Sequence, residues 1–436
     1  MDFMTENLGK CAVKSPLLDS YASHDTSFIS DEVRIIYDPI VKNNDTTCIK
    51  GEDSFEQAGP RNKIFFKPEK VRSAIATCGG LCPGINAVIR SIVMESFYRY
   101  GSKSIIGIPY GYSGLDPKKG YEPIELRPEI VEDIHLEGGT ILGSSRGGPE
   151  EMEVLVDTLA RLKINILYTI GGDGTLKGAH KIAEIAQRRG MEMAVIGIPK
   201  TIDNDISYVQ RTFGFETAYS LAVPSIYAAH VESKGSPNGI GLVKLMGRYS
   251  GFIAAHACLA MSDVNFILVP EVPFDLHGEN GFLEHLKKRI LNRHHAVICV
   301  AEGAGQDLLK KDAASQKRDA SGNLQLEDIG VFLKKEINRY FEEQGNEINL
   351  KYIDPSYLIR SAPPVPNDSI FCAQLGQYAV HAGMAGKTDM LISLWNNIYT
   401  HVPIELAVSV RKTINPTSRF WHDVIDATGQ PFSMKN

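Results

Sequence analysis

An α/β fold is predicted by the way the chain alternates. Apolar runs of about six residues end in glycine-rich loops and are followed, again and again, by stretches with apolar side chains at helical spacing. Length is a second observation: 436 residues exceed what one core usually organises, so two domains are expected. The third is the stretch 165–205, where Asn165–Ile170 and Met193–Ile198 read as strands and Leu176–Arg189 as the helix between them. Such a unit makes the two strands parallel neighbours and puts both following loops at their carboxyl ends, where open α/β sheets bind ligands.

Taken in order, residues 1 to about 58 are polar and lack a long periodic segment, and they read as an extension that wraps or is partly mobile. The chain enters the fold at Gly59–Pro68. Arg72–Thr77 reads as a strand, Cys78-Gly-Gly-Leu-Cys-Pro-Gly84 as a tight turn, Ile85–Tyr98 as a helix and Ser104–Ile108 as the next strand. Gly138–Gly148 is a loop of five glycines with two serines and Arg146, readable as a flexible surface loop or as an anion site with Arg146 as a clamp. After the central stretch a helix begins near Gly214. Strands at Ile240–Leu245, Asn265–Pro270 and Ala296–Val300, with helices Phe252–Met261 and Leu283–Leu291, then repeat the alternation as a second α/β domain. Residues 306–326 look like a surface insertion. Helices at about Ile329–Glu342, Ser369–Ala385 and Trp421–Ala427, and a strand at Leu391–Trp395, complete the chain.

Bulk properties bound the function. Hydrophobic residues at 43% and charged residues at 22% are ordinary for a globular protein, and a formal net charge of −6 argues against general binding to nucleic acid or an anionic membrane. Seven scattered cysteines suggest reduced thiols, and the lone pair Cys78 and Cys82, with no second pair, reads as loop packing rather than a zinc site. No run of about 20 apolar residues, signal-peptide pattern or peroxisomal tail is found, so a cytoplasmic location is expected.

The chemistry sits in the central stretch. Gly171-Gly-Asp-Gly-Thr175 lets backbone N–H groups approach a phosphate, while Asp173 disfavours a bare phosphate and so suggests an intervening Mg²⁺. Pro199-Lys-Thr-Ile-Asp-Asn-Asp205 adds a cation, a hydroxyl and two carboxylates within a few positions. A base, a metal-side acid and a charge clamp are what phosphoryl transfer to an alcohol requires. The residues alone reach a phosphoryl transferase and no further.

With Cys78-Gly-Gly-Leu-Cys-Pro-Gly-Ile-Asn86, the 171–175 and 199–205 motifs and Met246-Gly-Arg248 in one order, the chain resembles the 6-phosphofructokinase family from about Gly59 to Gln430. The resemblance implies two Rossmann-like three-layer α/β domains with the active site in the cleft between them, plus an N-terminal extension. It implies an extension over 1–70, an ATP-binding domain over 71–214 completed by about 361–412, and a fructose 6-phosphate-binding domain over 215–360 completed by about 413–436. It also implies residue roles. Asp203 would be the base at the sugar 1-hydroxyl, Thr201 would contact the transferred phosphate, and Lys200 and Arg146 would serve catalysis as cations. Asp173 would hold Mg²⁺ with Asp205 assisting. Gly79, Gly80, Arg146, Gly172, Asp173, Gly174 and Thr175 would line ATP. Thr201, Asp203, Met246, Gly247, Arg248, Glu302, Lys351, Tyr357 and Arg360 would line fructose 6-phosphate. A cytoplasmic, allosteric, glycolytic homotetramer or homodimer is implied, with neither nucleic acid nor membrane as partner.

The donor turns on two positions. Pyrophosphate-using members typically place an aspartate where Gly174 stands, in space that an ATP α-phosphate needs. Lys200 is shared with them, whereas short bacterial ATP users carry glycine there. Gly174 with Lys200 resembles the longer ATP-dependent branch. Short members also have arginines where Gly239 and Lys351 stand and a histidine where Tyr357 stands, so the sugar-phosphate pocket is expected to differ. The alternatives are a pyrophosphate-dependent enzyme, an NAD or lipid kinase sharing the Gly-Gly-Asp-Gly-Thr loop, and a silent regulatory subunit. The second leaves Met246-Gly-Arg248 and Arg360 unexplained, and intact Asp203, Asp173 and Arg146 argue against the third.

Overall fold

The computed structural model describes residues 2–20, 28–40, 53–147, 151–309 and 325–436. In chain order its principal strands are β1 (Arg34–Ile36), β2 (Ser54–Gln57), β3 (Arg72–Thr77), β4 (Ser104–Ile108), β5 (Ile124–Glu125), β6 (Ile166–Gly171) and β7 (Ala194–Pro199). They continue with β8 (Gly239–Leu245), β9 (Phe266–Leu268), β10 (His295–Ala301), β11 (Asn349–Ile353), β12 (Met390–Trp395) and β13 (Ile398–Pro403). The chain divides into two units: one of Met1–Thr201, Ile206–Gly214 and Ser361–Arg411, the other of Ile202–Asp205, Phe215–Arg360 and Lys412–Asn436.

The first unit is built on a nine-stranded sheet in the order β1-β2-β13-β12-β7-β6-β3-β4-β5. Its centre, from β12 to β4, is parallel, and antiparallel strands close both edges. Strands β6 and β7 are buried along their whole length, as expected for a parallel sheet covered on both faces. From β3 the chain passes to β4 on one side and then to β6 on the other. The sheet therefore has a topological switch point between β3 and β6, and the loops after both strands open there.

The second unit has a four-stranded parallel sheet, β9-β10-β8-β11, with its own core of Phe266, Phe282, Ile298, Leu333 and Phe341. Strand β8 lies between β10 and β11, so the loop beginning at Met246 stands at this sheet's switch point. This is the second α/β unit that the alternation predicts.

Several local readings change. Within residues 1–58, Arg34–Ile36 is an edge strand of the large sheet and Ser54–Gln57 the strand beside it, both too short to show a period. The central helix begins at Asp173 rather than Leu176, so Gly174 and Thr175 belong to its first turn. The helix expected over Ile85–Tyr98 is α-helical to Met94 and a π-helix over Glu95–Tyr100. Helices Met152–Arg161 and Ile404–Ser409 and strand β13 are additions. Of the insertion at 306–326, residues 310–324 lie outside the described residues, as do 21–27 and 41–52 of the extension. The described cysteines form no disulfide with one another, and no helix among the described residues is long and apolar enough to cross a membrane.

Candidate active site

In the first unit the carboxyl ends of β3, β6 and β7 bring three loops together. Cys78 N–H donates to Ile170 O at 3.0 Å and Lys200 N–H to Gly171 O at 2.9 Å, so the glycine turn, the Gly171–Thr175 segment and the start of the Lys200 segment are joined by backbone bonds. The Gly138–Gly147 loop is drawn in as well: Gly79 N–H donates to Ser145 O at 2.9 Å, and Ser144 Oγ donates to Gly79 O at 2.7 Å. Arg146 follows Ser145 directly and is exposed. The sequence leaves that loop open between a surface loop and an anion site. Its pairing to the turn shows that the loop is packed against Gly79.

Lys200 is 5% exposed, and its ammonium donates to Gly80 O at 2.6 Å. The cation thus reaches from the end of β7 to the turn after β3. Cys78, beneath the same turn, is pushed up to about 12 by burial, and a thiol so protonated is packing rather than a nucleophile.

Asp173 is the first residue of its helix, after an extended Gly172. Its carboxylate accepts from Lys177 Nζ at 2.9 Å, one turn on, and lies 3.5 Å from Arg411. Lys177 has a readable signal, the Asp-x-x-x-Lys spacing on a helix; Arg411, at the far end of the chain, has none. A Cβ built on Gly174 meets nothing within 4 Å. The helix start is therefore open above Gly174, with early N–H groups that have no partner within the helix. Thr175 is buried; its carbonyl accepts from the Tyr112 hydroxyl at 2.7 Å. Thr201 is the next residue after Lys200, and its carbonyl accepts from Thr212 Oγ1 at 2.6 Å.

In the second unit Met246, Gly247 and Arg248 follow β8 directly. Gly247 has φ +129°, and a Cβ there would stand 2.4 Å from Ser250 O, so only glycine makes this turn without strain. Glu302 N–H donates to Leu245 O at 2.9 Å and Gly303 N–H to Gly247 O at 3.0 Å, which binds the ends of β8 and β10 together. The Glu302 carboxyl is pushed up by burial, a shift opposed by Arg248, Lys244 and Arg360, so these four groups form one electrostatic cluster. Lys244, which sequence reasoning missed, is itself paired at 2.9 Å with both Asp328 and Asp354.

The remaining sugar-side candidates spread out. Lys351 is exposed on β11, in register with Gly241 and so short of the strand's carboxyl end, and Tyr357 is 84% exposed on the helix Ser356–Ser361. Asp203 and Asp205 are held through their carbonyls. Ser250 Oγ donates to Asp203 O at 2.9 Å, and Lys412 N–H donates to Asp205 O at 3.1 Å. The Lys412 ammonium lies 5.2 Å from the Phe252 ring centroid and is pushed down to about 8 by burial, with Asp205 acting in the opposite direction.

This set of loops corresponds to a known sequence family: the phosphofructokinase profile matches residues 72–383. The chain belongs to the phosphofructokinase family. It is 51% identical to "ATP-dependent 6-phosphofructokinase" of Borreliella burgdorferi, covering 100% of this chain and 98% of that protein. It is 42% identical to the protein of the same name from Amycolatopsis methanolica, covering 99% and 95%. Among solved structures, a pyrophosphate-dependent phosphofructokinase from Marinobacter aquaeolei matches with a TM-score of 0.66 at 20% identity, over 82% of this chain and 91% of that one. At that identity the likeness is one of fold, a phosphofructokinase fold of two α/β domains.

Proposed function

We propose that the protein is an ATP-dependent 6-phosphofructokinase. It transfers the γ-phosphate of ATP to the 1-hydroxyl of fructose 6-phosphate, giving fructose 1,6-bisphosphate and ADP in glycolysis. The observation that carries this reading is the full-length relationship: two proteins of that name match essentially the whole chain at 51% and 42% identity. The open helix start at Gly174 is consistent with it, since nothing there occupies the room an adenosine-bearing donor needs.

The roles follow from what each group can do. The Asp203 carboxylate takes the proton of the 1-hydroxyl, the oxygen bonds to the γ-phosphorus, and the bond to the bridging oxygen breaks with its electron pair leaving on ADP. Thr201 hydrogen-bonds the phosphoryl group in transit. Arg146, the turn Gly79–Gly80 and the helix start at Gly172–Thr175 receive the donor phosphates, and Lys200 keeps that turn in place. Arg248 and Arg360 take the sugar phosphate, with Met246, Gly247 and Glu302 beside them and Lys351 and Tyr357 outermost.

Mg²⁺ fits this donor set. Asp173 offers one carboxylate at a helix start, balanced by Lys177 and Arg411. One or two carboxylates plus substrate phosphates is the usual way this ion is held. Among the described residues no group of three His, Cys, Asp or Glu side chains gathers as an all-protein cage, so the ion would arrive with the nucleotide. Asp173 would hold it with Asp205 assisting, and when bound it neutralises charge on the phosphates. A cytoplasmic homotetramer or homodimer under allosteric control completes the proposal, with light scattering as the check on assembly.

One experiment separates the readings. Formation of fructose 1,6-bisphosphate is measured with ATP and with pyrophosphate in parallel, each with Mg²⁺. Product with ATP alone is expected; product only with pyrophosphate, or none with either, overturns the proposal.

A further inference from the structure

We infer that Glu271 is a positioning residue for the Asp203 segment. Glu271 lies beyond β9, and its carboxylate accepts the Gly251 N–H at 3.0 Å on Oε1 and 3.1 Å on Oε2. Oε1 also accepts the Ile414 N–H at 2.9 Å. One side chain thus fastens two segments that are remote in sequence. Each fastened segment in turn holds the Asp203–Asp205 backbone. Ser250, next to Gly251, donates its hydroxyl to Asp203 O, and Lys412, two residues before Ile414, donates its N–H to Asp205 O.

The chemistry suits a fixed brace. Ser250 is fully buried and Ile414 nearly so. The two N–H groups that Glu271 accepts would lose their acceptor if the carboxylate were removed, and an unpaired buried N–H is costly. Gly251 also caps the helix Phe252–Met261, where a carboxylate is favoured by the helix dipole. Glu271 acts through the segments it fastens and not on the reacting atoms. It sets where Asp203 stands, and a displacement of about 1 Å at a reacting group is enough to cost on the order of 10²-fold in rate.

The inference rests on Asp203 being the base, and the experiment keeps the two ideas apart. Glu271→Ala, Glu271→Asp and Glu271→Gln are assayed for kcat, for KM of each substrate and for Tm, alongside Asp203→Ser and the double variant Asp203→Ser/Glu271→Ala. Glu271→Ala is expected to lower kcat by roughly 10- to 10²-fold with the KM for ATP within about twofold. Glu271→Gln keeps an oxygen that can accept both N–H groups and should recover most of that loss. Glu271→Asp is one methylene short, and should fold yet stay slow, which keeps the test alive if the alanine variant does not fold. In the Asp203→Ser background, adding Glu271→Ala should cost little further turnover, because a brace acting through Asp203 has nothing left to position.

Wild-type kcat in folded Glu271→Ala or Glu271→Asp, or an undiminished further loss in the double variant, overturns the inference. Wild-type turnover in Asp203→Ser overturns the assignment of the base itself, whatever Glu271 does.

Discussion

The ammonium of Lys200 donates to the carbonyl oxygen of Gly80 at 2.6 Å, joining the end of β7 to the glycine turn after β3. In sequence Lys200 reads as a charge clamp; at 5% exposure it is buried. A buried hydrogen bond from a charged donor is worth about 1.5–3 kcal/mol, and Lys200→Met would leave the carbonyl without it. The expected result is a lower Tm together with a KM for ATP raised roughly 10-fold, since the turn it holds receives the donor. Steady-state kinetics and a thermal melt check both. An unchanged KM for ATP would mean that the tie is structural alone.

What the sequence makes legible depends on element length and on distance along the chain. The bounds of strands β3 and β4 and of the helix Phe252–Met261 are legible to the residue, because long apolar runs and helical spacing survive in one dimension. Strands β1 and β2 are not, since three or four residues carry no period. Strand β13 is hidden for a different reason: it buries His401, whose ring nitrogen lies 3.3 Å from the Glu56 carboxylate, a partner remote in sequence. At the site, motif residues were visible because glycines and acids cluster locally. Arg411 beside Asp173, Glu271 beneath Gly251 and Lys412 beside Asp205 were invisible because each partner comes from another part of the chain.

Glu95 and His381 form a buried pair that favours neutrality. Glu95 Oε1 lies 3.9 Å from His381 Nε2, and the other ring nitrogen is 2.8 Å from the Tyr100 hydroxyl. Burial pushes Glu95 up to about 7 and His381 down to about 3. A carboxyl that holds its proton longer in the native state than in the unfolded chain makes stability fall as pH rises, here between about 4.5 and about 7. His381 works on the acid side, where stability falls as pH drops from 6.5 toward about 3. Glu95→Gln should therefore raise stability by on the order of 2 kcal/mol near pH 8 and change little near pH 4.5. Chemical denaturation at the two pH values measures the difference, and equal effects at both would remove Glu95 as the titrating group.

Asp203→Ser should lower kcat by at least about 10²-fold, the scale expected for loss of a general base, with substrate KM values nearly unchanged. The backbone bond from Ser250 to the Asp203 carbonyl does not depend on the side chain, so the segment keeps its anchor in the variant. Fold and chemistry are then separable: far-ultraviolet circular dichroism should match the wild type while turnover collapses. Near-wild-type turnover would take the base role from Asp203.

Gly174→Asp tests the donor. A Cβ at Gly174 has open space, and the position is the second residue of the helix Asp173–Arg188. Glycine is a poor helix former by about 1 kcal/mol, and a carboxylate in the first turn is favoured by the helix dipole, although Asp173 next to it repels. The variant should fold at least about as well as the wild type, so any loss of function belongs to the ligand and not to the scaffold. The added carboxylate would stand where the donor's phosphates approach, and mutual repulsion should raise the KM for ATP by roughly 10-fold or more, since about 1.4 kcal/mol corresponds to each factor of ten. Pyrophosphate, which has no adenosine-bearing phosphate to place, is measured beside it. Retained ATP affinity in a variant of unchanged Tm would show that Gly174 does not select the donor, and would shift that role to groups such as Arg146 and Lys200 around the Gly79–Gly80 turn.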